Sequence, residues 1–306
     1  MKLTPTLKSA SLAALLATSA AFPVAAETPA DTFVIARNTA DAITLDPAET
    51  FEFTGGRIVA NLYERLFQFE PDNLTKLVGG IAESYTFSED GKKITVKLRP
   101  GQTFHSGNPL TSADVVYSLG RAIKLDKTPA FIIKQIGWTP ENVDEAIVAI
   151  DDTTVEINIL SDLSPALVLN LLSAGVANIV DMKEVQAHEV DGDMGYAWLK
   201  DHSAGSGPYK LKTWKANEVV MLEAFDDYRQ GKPAMERVVI RHVAEPSAQR
   251  LLLEKGDVDA AMELTADQLK AISDNTDVSA ESYPKGYLMY LATNMEHPVL
   301  SKPEVR

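Results

Sequence analysis

The 306 residues predict an α/β protein with mixed sheets and several β-hairpins. Three observations carry this. Short apolar runs rich in β-branched residues recur between turn residues. Elsewhere apolar residues recur at helical spacing. Two pairs of runs flank tight polar turns, which marks antiparallel hairpins rather than a simple alternating sheet.

The elements follow in order. Thr32 to Arg37 reads as a buried strand, and Leu45-Asp46-Pro47 as a turn. Gly55 to Phe67 carries Ile58, Leu62 and Leu66, with Val59 and Tyr63, at helical spacing. Gly79-Gly80 breaks the chain. Tyr85 to Phe87, the Ser88 to Gly91 turn and Ile94 to Leu98 predict a hairpin that Pro100-Gly101 ends. Thr111 to Asp114 opens a helix with an acidic first turn, continued by Val115 to Ile123. Ala146 to Ile150 and Val155 to Ile159 form a second hairpin. Ser164-Pro165 opens a helix that runs to Leu172.

Gly205 to Pro208 is a turn. Tyr209 to Trp214 and Val219 to Glu223 are strands around Lys215 to Asn217, and Arg237 to His242 is another. Ser247 to Lys255 is a helix stopped by Gly256. Asp257 to Met262 is a short strand, Thr265 to Ile272 a helix, and Tyr287 to Thr293 a final strand. The chain has no internal repeat and no low-complexity segment.

Residues 1–26 read as a secretory signal peptide. Lys2 and Lys8 give a basic start, Ser11 to Phe22 is apolar on every side, and Val24-Ala25-Ala26 supplies small residues before Glu27. The apolar run is about a dozen residues, against roughly 20 for a spanning helix. There are no cysteines, which excludes disulfides, thiolate metal sites and a lipid on cysteine. An exported protein without that anchor points to a periplasm. Losing the two leader lysines takes the formal charge from −14 to −16, which argues against nucleic acid as a partner and suits a monomer kept apart by self-repulsion.

Catalytic motifs fail on inspection. Gly231-Lys232 is followed by Pro233, so it is not a phosphate loop. Gly205-Ser206-Gly207 lacks the wider frame of a nucleophile elbow, and Pro208 would disrupt the helix after it; a tight turn is the simpler reading. His105, His188, His202, His242 and His297 are scattered, and none forms a zinc helix. The acid pairs Asp151-Asp152 and Asp226-Asp227 sit at turns, where solvated carboxylates are the default.

One constellation is specific as a set. Ala82 to Gly91 runs into Ile94 to Gly101, then Phe104 to Leu110, then Thr111 to Val116. With Leu45 to Pro47, Asn61 to Glu64, Gly205 to Leu211, Asp227 to Arg229, Gly231 to Pro233, Pro246 to Arg250, Gly256 to Asp259 and Pro303 to Arg306, it resembles the oligopeptide/dipeptide/nickel-binding family of extracytoplasmic solute-binding proteins. The resemblance covers essentially all of the chain after the leader. It implies a bilobal periplasmic-binding-protein fold that closes over a peptide ligand by a hinge motion and delivers it to the membrane permease of an ATP-driven importer. It implies no catalysis and no cofactor, and no metal-ligating residue is singled out; nickel, haem or oligosaccharide ligands are the variants within the class.

The resemblance also implies a domain plan: a first lobe over 27–290, with a hairpin-rich subdomain at about 48–180, then a hinge and the start of a second lobe over 291–306. The second lobe would be largely missing. Ser301 to Glu304 looks like a capping box that opens a helix the chain does not continue. For the site, the resemblance points to Phe53, Thr54 and Gly55 as cleft-lining and to Asn294 as the crossing between lobes. The plainer readings stay open: a helix N-terminus capped by Thr54, and an ordinary turn residue at Asn294. Two other functions also stay open, a divergent periplasmic hydrolase and a truncated or chaperone-like product.

Overall fold

The computed structural model describes residues 28–70, 73–281 and 291–305. In chain order the first part comprises β1 (Thr32–Arg37), α1 (Phe53–Leu62), β2 (Glu64–Arg65), β3 (Phe67–Glu70), β4 (Asn73–Gly79), β5 (Ala82–Phe87) and β6 (Lys93–Leu98). Then come α2 (Ser112–Leu125), α3 (Ala130–Lys134), α4 (Val143–Ala146), β7 (Ile147–Asp151), β8 (Thr154–Asn158), α5 (Pro165–Leu171), β9 (Asn178–Ile179), α6 (Met182–Ala187) and α7 (Tyr196–Leu199). The last part comprises β10 (Tyr209–Lys215), β11 (Val219–Ala224), β12 (Arg237–His242), α8 (Pro246–Glu254), β13 (Ala260–Ala261) and α9 (Ala266–Ala271).

The main sheet has the order β10-β11-β12-β1-β13. β1 is parallel to both neighbours, pairing Ile35 with Ile240 and with Ala260. β10 and β11 form an antiparallel hairpin, and Asn217 takes positive φ at its turn. Alternation along β1 divides the core. Val34 and Ala36 pack with Leu252 and Leu253 of α8 and with Val258. Ile35 and Ile240 join the opposite cluster, with Ile58, Val59 and Leu62 of α1. The helices that follow the neighbouring strands β1 and β12 therefore lie on opposite faces of the sheet.

A second, larger core lies against the antiparallel sheet β5-β6-β8-β7. Ile94, Val96, Val155 and Ile157 pack there under Val115, Leu119 and Ile123 of α2, with the indole of Trp138 also buried. α2 starts as its residues dictate: the Thr111 N–H and hydroxyl both donate to the Asp114 carboxylate at 2.8 Å. α5 is likewise capped locally, with Ser164 Oγ accepting the Leu167 N–H.

Four expectations need correction. The helical spacing from Gly55 to Phe67 breaks at Tyr63, whose backbone is extended (φ −126°, ψ 160°). Glu64–Arg65 instead pairs with β9, and Phe67 enters a hairpin with β4 that periodicity did not suggest. Leu66 and Phe67 are buried either way, so burial alone does not tell helix from strand here. The strand expected over Asp257 to Met262 shortens to Ala260–Ala261. The strand expected over Tyr287 to Thr293 lies partly outside the described residues, and Leu291 to Thr293 is exposed and irregular. The predicted box at Ser301 does not form: Ser301 Oγ donates back to Pro298 O, and a single 3-10 turn spans Pro303–Val305. The signal-peptide reading of 1–26 lies outside the described residues.

Candidate functional site

In open sheets with parallel strands, ligands favour the crevice outside the carboxyl ends of two strands whose following helices diverge to opposite faces. β1 and β12 meet that condition. Their carboxyl ends bring together Arg37 and His242, which are register partners, and Asn38, Thr39 and Asp41 beyond them. β13 adds Glu263 from the other side of β1.

Hydrogen bonds lock these loops. Arg37, only 5% exposed, donates from Nη2 to Glu263 Oε1 at 3.0 Å. The Asn38 N–H donates to the other oxygen, Glu263 Oε2, at 2.9 Å. The Thr39 N–H donates to His242 Nδ1 at 3.0 Å, which leaves the ring proton on Nε2. Burial pushes the Arg37 guanidinium below its ordinary pKa. The nearby Arg57 charge adds to this, and Glu263 and Asp41 oppose it.

The start of α1 is tied to the same place. Asp41 Oδ2 accepts the Thr54 N–H at 3.0 Å. Burial raises the Asp41 carboxyl, but the Thr54 hydroxyl and amide outweigh it and hold the group below the usual range. The cap is thus supplied by a carboxylate thirteen residues upstream. Thr54 is not the cap; it is the second helical residue, and Glu52 occupies the capping position without a side-chain bond to the helix.

Of the residues expected to line a cleft, Phe53 is exposed at the head of α1, while Thr54 and Gly55 are buried behind it. A Cβ on Gly55 would lie 3.0 Å from Thr50 Cγ2 and 3.2 Å from Glu52 Oε2, so this glycine serves internal packing. The adjacent Gly56 faces open space, with nothing within 4 Å of an added Cβ. Asn294 makes its bonds within its own turn: its side chain accepts the Glu296 N–H and its carbonyl the His297 N–H.

An apolar rim adjoins this start of α1. Ile43, Phe51, Phe53 and Phe131 are each more than half exposed. The Phe51 and Phe131 rings meet edge to face at 5.9 Å between centroids, linking the loop before α1 to α3. Exposed aromatic groups beside a polar crevice are suited to an uncharged or extended ligand that brings its own side chains.

The Gly205-Ser206-Gly207 turn is not arranged for nucleophilic catalysis. Ser206 Oγ donates to the Glu64 carboxylate at 3.2 Å in a buried setting. The nearby His105 donates from Nε2 to Gly207 O, not to the serine. Among the described residues no group of three His, Cys, Asp or Glu side chains could hold a metal ion. No described helix is long and apolar enough to cross a membrane.

Arg37, Asn38, Asp41, His242 and Glu263 were not legible as site residues. The one available signal was position, since Arg37 and His242 each close a strand. Which strands become parallel neighbours is not written locally.

Comparison with known proteins agrees with this architecture. The family model described as bacterial extracellular solute-binding proteins, family 5 Middle, matches residues 76–306. A probable D,D-dipeptide-binding periplasmic protein of Escherichia coli is 32% identical over 299 residues, 96% of this chain and 55% of the relative. A glutathione-binding protein of Pectobacterium atrosepticum is 28% identical over 265 residues, 86% of this chain and 48% of the relative. The chain spans about half the length of the curated relatives it matches. Among solved structures, the Helicobacter pylori periplasmic binding protein DppA in complex with the peptide STSA superimposes with a TM-score of 0.69 at 23% identity. That match covers 80% of this chain and 49% of DppA. NikZ of Campylobacter jejuni in complex with Ni(L-His) gives 0.66 at 21% identity, covering 81% and 46%. These two likenesses speak to the fold.

Proposed function

The chain belongs to the family 5 bacterial extracellular solute-binding proteins, and from that membership we propose that it is the periplasmic solute-capturing component of an ATP-driven importer, with peptides as its ligands. The observation that carries the reading is the crevice at the carboxyl ends of β1 and β12, with the head of α1 and its apolar rim beside it. Arg37, Asn38, Asp41 and Glu263 hold the crevice walls through backbone and ion-pair contacts. Phe51, Phe53 and Phe131 offer contact area to side chains without demanding a particular one.

In this reading residues 1–26 direct export, 27–290 form the first lobe with its hairpin-rich subdomain at about 48–180, and 291–306 lead toward a second lobe. The bound peptide passes to a membrane permease, and no bond is broken. The structures and relatives named above that bind peptide, dipeptide or glutathione support the ligand class by analogy.

The test is thermal unfolding of the exported chain in the presence of di- and tripeptide pools, D,D-dipeptides and glutathione. Binding to the native state alone raises Tm saturably. A rise with at least one peptide class is expected, and deconvolution of the pool then identifies it. Unchanged Tm across all pools at millimolar concentration would overturn the peptide reading.

A further inference from the structure

A polar cavity of about 280 Å³ lies away from the crevice. Arg99, Gln102 and Thr103, in the loop after β6, line it from the side of the antiparallel sheet. Ser206, Asp227 and Arg229, which flank the β10–β11 hairpin, line it from the side of the main sheet. Asp227 follows the end of β11, where Glu223 pairs with Arg237 at the amino end of β12. The cavity therefore belongs to the opposite end of the main sheet from the crevice.

Part of the lining is already satisfied. Glu64, also in the lining and buried, accepts from Ser206 Oγ at 3.2 Å and from Arg229 Nε. Other groups are not. Gln102 is only 8% exposed, and its Nε2 donates to Ile81 O and Arg99 O. Its buried Oε1 has no hydrogen-bond partner among the described residues. A buried acceptor left without a donor is costly, so a partner for it is worth seeking. Arg99 spends Nε on Gly80 O, and its Nη groups have no partner among the described residues. Lys232 pairs with Asp226 and leaves the exposed Asp227 carboxylate without an ion pair there.

The unpaired groups are thus one cation, one anion and one neutral acceptor. A ligand with a net charge would meet one partner and one like charge; a zwitterion meets a partner at both ends. The arginine fork suits a carboxylate, and an ammonium carries donors enough for Asp227 and Gln102 together. The volume is at the lower end of small-molecule sites, which favours a single residue over an extended peptide.

We infer that this cavity binds a free α-amino acid, its carboxylate on Arg99 and its ammonium shared between Asp227 and Gln102 Oε1. Such a ligand would bridge the two walls and strengthen the contact between the two cores. The inference does not require the importer reading, because the cavity is separate from the crevice.

The experiment is a thermal-shift and calorimetric titration of the exported chain with glycine, L-alanine, L-serine and L-asparagine. At least one is expected to raise Tm saturably, by about 2–4 °C at about five times its Kd. Its amide, which lacks the carboxylate, and its N-acetyl derivative, which lacks the ammonium, are expected to bind about tenfold more weakly or worse. Asp227→Asn, at an exposed position, is expected to fold, to weaken the amino acid about tenfold and to leave any response to peptides unchanged. Gln102→Leu is expected to weaken the amino acid as well; should that variant not fold, Asp227→Asn carries the test alone. No saturable shift with any of these amino acids at millimolar concentration would overturn the inference and leave Gln102 Oε1 to a bound water. Equal binding of the amide or the N-acetyl derivative would overturn it too. Unchanged affinity in Asp227→Asn would move the amino acid out of this cavity and equally overturn it.

Discussion

Arg121 and Asp46 form a two-pronged ion pair, Nη1 to Oδ1 at 2.8 Å and Nη2 to Oδ2 at 2.6 Å, with both side chains almost wholly buried. The pair fastens the Leu45-Asp46-Pro47 turn, which leads into the site, onto α2 of the second core. Asp46 Oδ1 also accepts the Ala48 N–H, and Arg121 Nε donates to Met194 O, so few polar atoms are left over. Removing one partner strands a buried charge. Arg121→Met is therefore expected to cost about 3–5 kcal/mol in urea unfolding. The double variant Arg121→Met/Asp46→Leu is expected to recover part of that loss. A single-variant loss under about 1 kcal/mol would show the pair to be solvated in solution.

His105 gives the protein a dependence on acid. Burial drives its pKa from 6.5 down to about 4, and the bond to Gly207 O only partly opposes this. The unfolded chain then binds the proton more readily than the native one. Stability from the neutral ring is complete above pH 6.5 and is lost as pH falls through 4, up to about 3 kcal/mol. Urea midpoints at pH 7 and pH 4.5 should differ less in His105→Gln than in the parent protein. An identical drop in both would assign the acid sensitivity to carboxylates.

Gly205 is a matter of space rather than backbone freedom. A Cβ there would overlap the Leu62 carbonyl oxygen, where α1 ends. Gly205→Ala must push the two segments apart, with a loss of about 3 kcal/mol or more. Circular dichroism and melting of the purified variant check this. Melting within 2 °C of the parent would mean that the segments separate freely.

Gly56 is the opposite case, lying inside α1 with open space where a side chain would go. Gly56→Ala is expected to raise stability by about 0.5–1 kcal/mol through helix propensity. If ligand backbone approaches α1 here, the same variant loses peptide affinity while gaining stability. Unaltered affinity would move the ligand away from this helix.

What could be read from the chain alone was what neighbouring residues settle among themselves. β1, the hairpins β5–β6 and β7–β8, and the caps at Thr111–Asp114 and Ser164 were legible because alternation, turns and caps involve residues only a few positions apart. The end of α1 was not legible. Leu66 and Phe67 continue a helical stripe in sequence, and only pairing of β2 with β9 and β3 with β4 draws them into strands.

The site divides along the same line. The sequence by itself determined the start of α1 near Phe53 to Gly55 and, through its ordered motifs, the family. Only the tertiary structure decided that Asp41 caps that helix, that Gly56 rather than Gly55 is open, and that Arg37 meets Glu263 across 226 positions. The reason is physical. A crevice at the ends of parallel strands exists only once β12 and β13 have crossed back to flank β1. No local preference of Arg37 or Glu263 records that crossing.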